Sequence, residues 1–176
     1  MARNGGESAA LVEVIPATRA DLPVVANLME LYIHDFSEFL AVVPGPDGRF
    51  GYPNLSLFWS EADRFPFLIR VGGVLGGFAL IAQVRDPADG DSVWDVVEFF
   101  VLRGLRRRGV GAEAARQIWR RFPGRWQVRV MPSNRAAIHF WKQAIAAVGW
   151  ETIASTLITE DGRPWHVFSF DSAVVV

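Results

Sequence analysis

The chain has 176 residues, 51% of them hydrophobic and 21% charged, with a formal net charge of −1 and no cysteine. This balance predicts one globular domain with its own core, and the lack of cysteine excludes disulfides, thiolate metal sites and a cysteine nucleophile. The near-zero charge gives no reason to expect a nucleic-acid partner, and no apolar run reaches the roughly 18 residues that a membrane-spanning helix needs.

The first residues, 1–10, are expected to be a disordered lead, because they are polar and lack the apolar stretch of a signal peptide. Residues 11–176 are expected to form the single domain of a cytoplasmic protein. That domain begins with a predicted strand at Leu11–Ala17. A helix follows from a cap at Thr18 to about Leu40, and its apolar residues are dense enough for it to be largely buried.

The middle of the chain predicts strands separated by turns. The turn-rich segment Pro44–Pro53 cannot hold long regular structure, and Leu55–Asp63 is expected to be a short helix. Two strands are predicted at Phe67–Val71 and Leu75–Val84, around a glycine pair typical of a hairpin turn. A long strand, rich in β-branched and aromatic residues, is predicted at Val93–Leu102.

The second half of the chain predicts two helices and three strands. These elements are a helix at Gly109–Arg121, a strand at Trp126–Val130, a helix from a cap at Ser133 or Asn134 to about Val148, and a closing hairpin at Glu151–Thr159 and Pro164–Phe170. This order of strands and helices predicts a mixed α/β sheet rather than a strictly alternating one.

A basic loop with two glycines lies between the long strand and the helix after it, and reads RRRGVG over residues 106–111. The first N–H groups of a helix have no acceptor within the helix, and together with the helix dipole they favour an anion. Glycines let a phosphate approach the main chain, and arginines add charge-assisted hydrogen bonds. The loop therefore predicts a phosphate or pyrophosphate site, although the dinucleotide fingerprint and the P-loop pattern are both missing.

The pattern R-x-x-G-x-G at this place resembles the coenzyme A loop of the GNAT superfamily of N-acetyltransferases. A second segment, NRAAIHFW over residues 134–141, followed by Gly149 and Trp150, resembles that family's N-x-x-A-x-x-F-[YW] helix. Both motifs occur in the family's order, and the order of elements is similar from Leu11 onward. The resemblance implies an α/β (α+β) fold, with a mixed, mostly antiparallel sheet of six to seven strands and helices on both faces.

The resemblance also implies acetyl-CoA as the cosubstrate. In the family, a bulge splays the long strand from the next one, and the slot between them takes the pantetheine arm. The residues implied to bind the coenzyme lie at the end of that strand, in the basic loop and at the start of the later helix: Phe100, Val101, Leu102, Arg106, Arg107, Arg108, Gly109, Val110, Gly111, Ala112 and Asn134. The three histidines are scattered without metal-ligand spacing, so we predict no metal site.

The implied reaction moves an acetyl group to a primary amine of a small molecule or peptide, by direct transfer in a ternary complex. Glu98 is the first candidate for the base and Asp95 the second, because a protonated amine must lose a proton before it attacks. Glu98 could equally be the structural partner of an arginine. Many family members have a Tyr that protonates the leaving thiolate where this chain has Trp141, whose indole is no useful acid. Water, His139 or Tyr52 could take that role, or the thiolate could leave unaided.

The first helix often lines the acceptor pocket in this family, which implies Tyr32 and His34 as substrate contacts. Tyr52, in the glycine- and proline-rich loop, is a third candidate. A solvated helix surface is an equally good interpretation for His34. The rival functions are a non-catalytic acyl-CoA-binding module and a nucleotide-binding regulatory module. The protein is expected to be a monomer or a homodimer, since the apolar tail Ala173–Val176 gives a weak indication of pairing.

Overall fold

The computed structural model describes residues 10–87, 89–149, 152–160 and 162–172. The strands are β1 Val12–Pro16, β2 Arg64–Val71, β3 Val74–Arg85, β4 Ser92–Val101, β5 Arg125–Val130, β6 Thr152–Glu160 and β7 Arg163–Asp171. The helices are α1 Leu22–Phe36, α2 Val110–Arg121 and α3 Arg135–Ala146, with short 3-10 turns at Arg19–Asp21, Leu55–Trp59 and Arg103–Leu105. Within the described ranges, no helix is both long enough and apolar enough to span a membrane.

All seven strands form one sheet, in the order β1-β2-β3-β4-β5-β7-β6. Each pair of neighbours is antiparallel except β4 and β5, which run parallel because α2 crosses over between them. The mixed, mostly antiparallel sheet predicted from the sequence is therefore confirmed. The expected lead at residues 1–10 and the tail at Ala173–Val176 fall outside the described residues, except for Ala10.

Helices cover both faces of the sheet, as predicted. On one face α1 buries Val25, Leu28 and Met29 in a cluster that includes Phe78 and Leu80 of β3. The opposite face is covered by α2 and α3. Its core contains large aromatic and aliphatic side chains from the two helices and the central strands, among them Trp119, Trp126, Trp141, Ile81, Ile145 and Phe168.

The predicted element types are correct, but several boundaries differ. The helix expected to reach about Leu40 ends at Phe36. Ser37 caps it there, because its N–H donates to Ile33 O at 2.9 Å and its hydroxyl donates to His34 O at 2.6 Å. The helix expected to reach about Val148 ends at Ala146, and the segment after Leu55 forms a 3-10 turn rather than an α-helix.

A bulge in β4 separates that strand from β5. Val96 pairs with Ile81 and Glu98 pairs with Leu80, so Val97 is an extra residue on the β4 side. The pairing of β4 with β5 extends only from Trp94 to Val96. Beyond that point the two parallel strands have no paired residues, and a slot opens between their carboxyl-terminal ends.

Candidate active site

The N-terminus of α2 lies beside the end of β4, and Gly109 is its N-cap residue with a left-handed φ of 78°. Glu113 N–H donates to Gly109 O at 3.0 Å, which is the first hydrogen bond of the helix. The N–H groups of residues 107–112 donate no hydrogen bond to any acceptor in the described part of the chain. A run of main-chain donors with the positive end of a helix dipole behind it favours an anion.

The two glycines of this loop have different surroundings. Gly109 is exposed, and a Cβ built on it would have no atom within 4 Å. A Cβ on Gly111 would lie 3.1 Å from two ring atoms of Phe140 and 3.7 Å from a ring atom of Phe99. Gly111 therefore allows α2 to pack closely on α3, a constraint that the motif alone did not reveal.

Gly111→Val is expected to lower the free energy of unfolding by about 2 kcal/mol, because the added side chain overpacks against Phe140. Phe140 cannot move away freely, since its ring stacks on Phe99 at a centroid distance of 6.0 Å and contacts Trp141 at 4.8 Å. Urea unfolding measures the change, and Gly111→Val should cost less in a Phe140→Ala background than in the wild type, because the clash is then removed. Unchanged stability in the single variant would show that this contact is not tight.

The arginines of the loop also divide into two groups. Arg106 turns away from the helix end: its Nε donates to Val101 O at 2.7 Å and its Nη2 lies 2.6 Å from Asp35 Oδ2. Arg103 pairs with the same carboxylate at 2.8 Å, so the end of β4 is tied to α1. Arg107 and Arg108 are exposed, and the described residues offer neither of them an ion-pair partner. Their charges are the ones free to meet an anionic ligand.

Glu98 lies next to the bulge in β4, on the face that α1 covers. Tyr32 of α1 and Tyr52 of the loop before β2 both donate their hydroxyls to its carboxylate, Tyr52 at 2.9 Å. Burial raises the pKa of Glu98 to about 6, and the two tyrosine hydrogen bonds oppose that rise. The hydrogen-bond partners of this carboxylate are thus tyrosines, and the alternative of an arginine partner is not what the structure contains.

Asp95, the second candidate base, has a different environment. It is 1% exposed and accepts a hydrogen bond from Arg129 Nη2 at 2.7 Å. Arg129 also pairs with Glu160 of β6 at 2.8 Å. Burial raises the pKa of Asp95, while the Arg129 guanidinium lowers it. Asp95 does not line the cavity described next, so the geometry favours Glu98 over Asp95 as the base.

A cavity of about 580 Å³ opens beside Glu98 and continues into the slot between β4 and β5. Tyr32 and Tyr52 line it together with Glu98, whereas His34 is exposed, lies against Phe50 at a centroid distance of 6.4 Å and is not part of the wall. The cavity reaches α3, where Asn134 and Trp141 contribute to its wall. The slot and the cavity beside Glu98 are therefore one continuous space.

The α3 motif has a structural role as well as a place in the cavity wall. Asn134 caps α3, since its Oδ1 accepts from Ala137 N at 3.0 Å. Trp141 is 5% exposed and packs edge-on to Phe99 at 5.1 Å. His139, one of the candidate acids, is exposed on α3 and is not among the residues that line the cavity.

Glu30 holds the loop that carries Tyr52, and the sequence analysis did not single it out. Its carboxylate accepts from Phe50 N at 2.7 Å and from Gly51 N at 3.1 Å. The only signal in the sequence is one carboxylate within the apolar run of α1, between Met29 and Leu31. Other wall residues that the sequence did not predict come from α1, β4, β5, β7 and the segment after α1, among them Phe36, Val97, Arg129, Arg163, Trp165, Leu40, Val42 and Val43.

Glu30→Ala is expected to speed hydrogen exchange at the amides of Phe50 and Gly51 by about tenfold or more, because each loses a hydrogen bond to a charged acceptor. Glu38→Ala, which removes an exposed carboxylate just after α1, serves as the matched control. Exchange followed by NMR or mass spectrometry measures the difference. Equal exchange in both variants would mean that Glu30 does not hold the loop.

A family model described as Acetyltransferase (GNAT) family matches residues 25–145 of the chain. An acetyltransferase from Thermus thermophilus is 17% identical with a TM-score of 0.63, over 92% of this chain and 98% of that one. The aminoglycoside acetyltransferase AAC(6')-Ib, in complex with coenzyme A, is 16% identical with a TM-score of 0.65, over 92% and 95%. YncA from Salmonella typhimurium, with its cofactor acetyl-CoA, is 14% identical with a TM-score of 0.61, over 94% and 96%. No curated protein matches at the sequence level.

Proposed function

The chain belongs to the GNAT family of acetyltransferases, and from this premise we propose that it transfers the acetyl group of acetyl-CoA to a primary amine, directly within a ternary complex. The observation that carries the proposal is the row of main-chain N–H groups over residues 107–112 that have no acceptor in the described part of the chain. These donors suit a pyrophosphate, which brings two negative charges to the helix N-terminus.

The residues around the slot fit the rest of the cosubstrate. Beyond Val96 the end of β4 has no paired residue on the β5 side, so main-chain groups there can pair with the amides of a pantetheine arm, as an added strand would. Val101 O is the exception, because Arg106 Nε already donates to it. Asn134 lies at the far wall of the same space. Arg107 and Arg108 add positive charge beside the pyrophosphate, whereas Arg106 braces β4 against α1. When bound there, acetyl-CoA supplies a thioester carbonyl that an amine can attack.

Glu98 is proposed as the general base. A pKa of about 6 leaves its carboxylate mostly ionised near neutral pH and still basic enough to take a proton from an ammonium group, directly or through a water. The amine nitrogen then forms a bond to the acetyl carbon as the bond from that carbon to sulfur breaks. The nitrogen releases its second proton to water, and the thiolate takes up a proton. Because the chain contains no cysteine, a cysteine thioester cannot form on it.

Tyr52 is proposed as the source of the proton that the leaving thiolate takes up. Burial, followed by the negative charge of Glu98, raises its pKa well above the usual range, so the hydroxyl holds its proton before the reaction. Once Glu98 accepts a proton from the amine, that charge disappears and the pKa of Tyr52 falls. The hydrogen bond of 2.9 Å between the two groups would couple the two proton transfers, because Tyr52 regains its proton from Glu98 along it.

Turnover with acetyl-CoA and a panel of primary amines tests the proposal, with thiol release followed by a colorimetric reagent and the acetylated product identified by mass spectrometry. We expect product and thiol in equal amounts. Trp141 at the family's tyrosine position favours one rival, a module that binds the coenzyme without turnover. Binding of acetyl-CoA with no product from any amine would support that rival, and absence of binding would contradict both.

A further inference from the structure

The wall of the cavity beside Glu98 is mostly aromatic and aliphatic. Tyr32 and Phe36 contribute from α1, Val42 and Phe50 from the segments before β2, and Trp165 from β7. Tyr32 and Phe36 are in contact with a centroid distance of 4.7 Å, so they form one continuous ring surface. Such a wall favours an apolar body on the acceptor, because aromatic rings bury large apolar areas and pack edge-on or offset against one another.

The charged groups in and behind this wall nearly balance. Three of them line the cavity: Glu98, Arg129 and Arg163. Arg129 is held between Asp95 and Glu160 at 2.7 and 2.8 Å. Arg163 is exposed at the rim, and the described residues offer it no ion-pair partner. When all five groups are ionised, the three carboxylates and two guanidinium groups leave a net charge of −1. A single ammonium group balances that charge.

We propose that the acceptor is a small monoamine with one ammonium group and an apolar, preferably aromatic, body, such as 2-phenylethylamine. This inference rests on the proposed function and specifies its substrate class. The ammonium group meets Glu98, whose carboxylate is already positioned by two tyrosine hydroxyls. The body then lies against Tyr32, Phe36 and Trp165. A polyamine would bring further positive charges close to Arg129 and Arg163, which repel them.

The proposal is tested by measuring kcat/KM for four acceptors at one fixed concentration of acetyl-CoA. The acceptors are 2-phenylethylamine, spermidine, phenylalanine and a tetrapeptide with a free N-terminus. We expect 2-phenylethylamine to exceed each of the others by about tenfold or more. A preference for spermidine, phenylalanine or the peptide would overturn this inference while leaving the acetyltransferase function intact. No transfer to any of the four, in a protein that binds no acetyl-CoA, would instead overturn the proposed function itself.

A charge added to the wall provides a second test. Val43 lines the cavity and is 84% exposed, so Val43→Glu adds a carboxylate without disturbing the core. The ratio of kcat/KM for spermidine to that for 2-phenylethylamine is expected to rise about fivefold. Val74→Glu is the matched control, because Val74 is 69% exposed at the start of β3 and does not line the cavity. An equal ratio in both variants would overturn the inference.

Discussion

Glu98→Gln is expected to lower kcat/KM for amine acetylation by a factor of about 10² to 10⁴ and to leave acetyl-CoA affinity unchanged. Gln keeps the shape of the side chain and an oxygen that can accept from Tyr52, but it cannot take a proton. Steady-state kinetics and calorimetric titration with acetyl-CoA measure the two quantities. Glu38→Gln, an exposed carboxylate outside the cavity wall, is the control and should keep full activity.

The pH profile separates the loss of a base from a general disturbance of the site. In the wild type, kcat/KM should rise with pH as Glu98 ionises, with a limb near its pKa of about 6. Glu98→Gln should lose that limb and retain only the rise that comes from ionisation of the free amine at higher pH. A variant that keeps both the limb and the activity would show that Glu98 is not the base.

The free energy of unfolding, measured as a function of pH, checks that the Glu98→Gln variant is folded. The pKa of Glu98 is raised from 4.5 in the unfolded chain to about 6 in the folded protein, so the folded state binds more protons between these values. The contribution of Glu98 to the free energy of unfolding should therefore fall by about 2 kcal/mol as the pH rises through this window, and stay constant above it. Glu98→Gln removes that dependence and should be at least as stable as the wild type at pH 8.

Gly109→Asp is expected to weaken acetyl-CoA binding by a factor of about 100 or more. The new side chain would enter open space at the start of α2, where its carboxylate can accept from the same N–H groups that are proposed to hold the pyrophosphate. It would also place a negative charge beside the negatively charged ligand. Isothermal titration with acetyl-CoA measures the loss.

Gly73→Asp is the matched control for this change. Gly73 has the same φ of 78°, and a Cβ on it would also have no atom within 4 Å, but it lies in the turn between β2 and β3. Both substitutions therefore place Asp at the same positive φ and add the same charge. Equal affinities in the two folded variants would mean that the α2 N-terminus does not bind the pyrophosphate. Gly111 is unsuitable for this test, because its substitution also disturbs the packing on Phe140.

The fold and the family could be predicted from the sequence because the signals that carry them are local. The loop signal is a short stretch in which a strand, two glycines and a helix follow one another, and the family model and the fold confirm the family that this stretch resembles. Helix ends were less predictable. The pattern of apolar residues continues to Leu40, whereas Ser37 ends α1 by bonding to carbonyls of its last turn.

The contacts of the site could not be predicted, because they join residues far apart in the chain. Tyr32 and Glu98 are separated by 66 positions, and Arg106 and Asp35 by 71. The sequence predicted both tyrosines as substrate contacts but gave no reason to bring them to Glu98. It also assigned Arg106 to the coenzyme loop, whereas its guanidinium pairs with Asp35 on α1.

A crystal structure of the protein with acetyl-CoA tests the central claim most directly. We expect pyrophosphate oxygens within about 3 Å of main-chain nitrogens in the run 107–112, the pantetheine arm between β4 and β5, and the acetyl group in the cavity that Glu98 lines. A pyrophosphate bound elsewhere, or an acetyl group separated from the Glu98 carboxylate by protein, would contradict it.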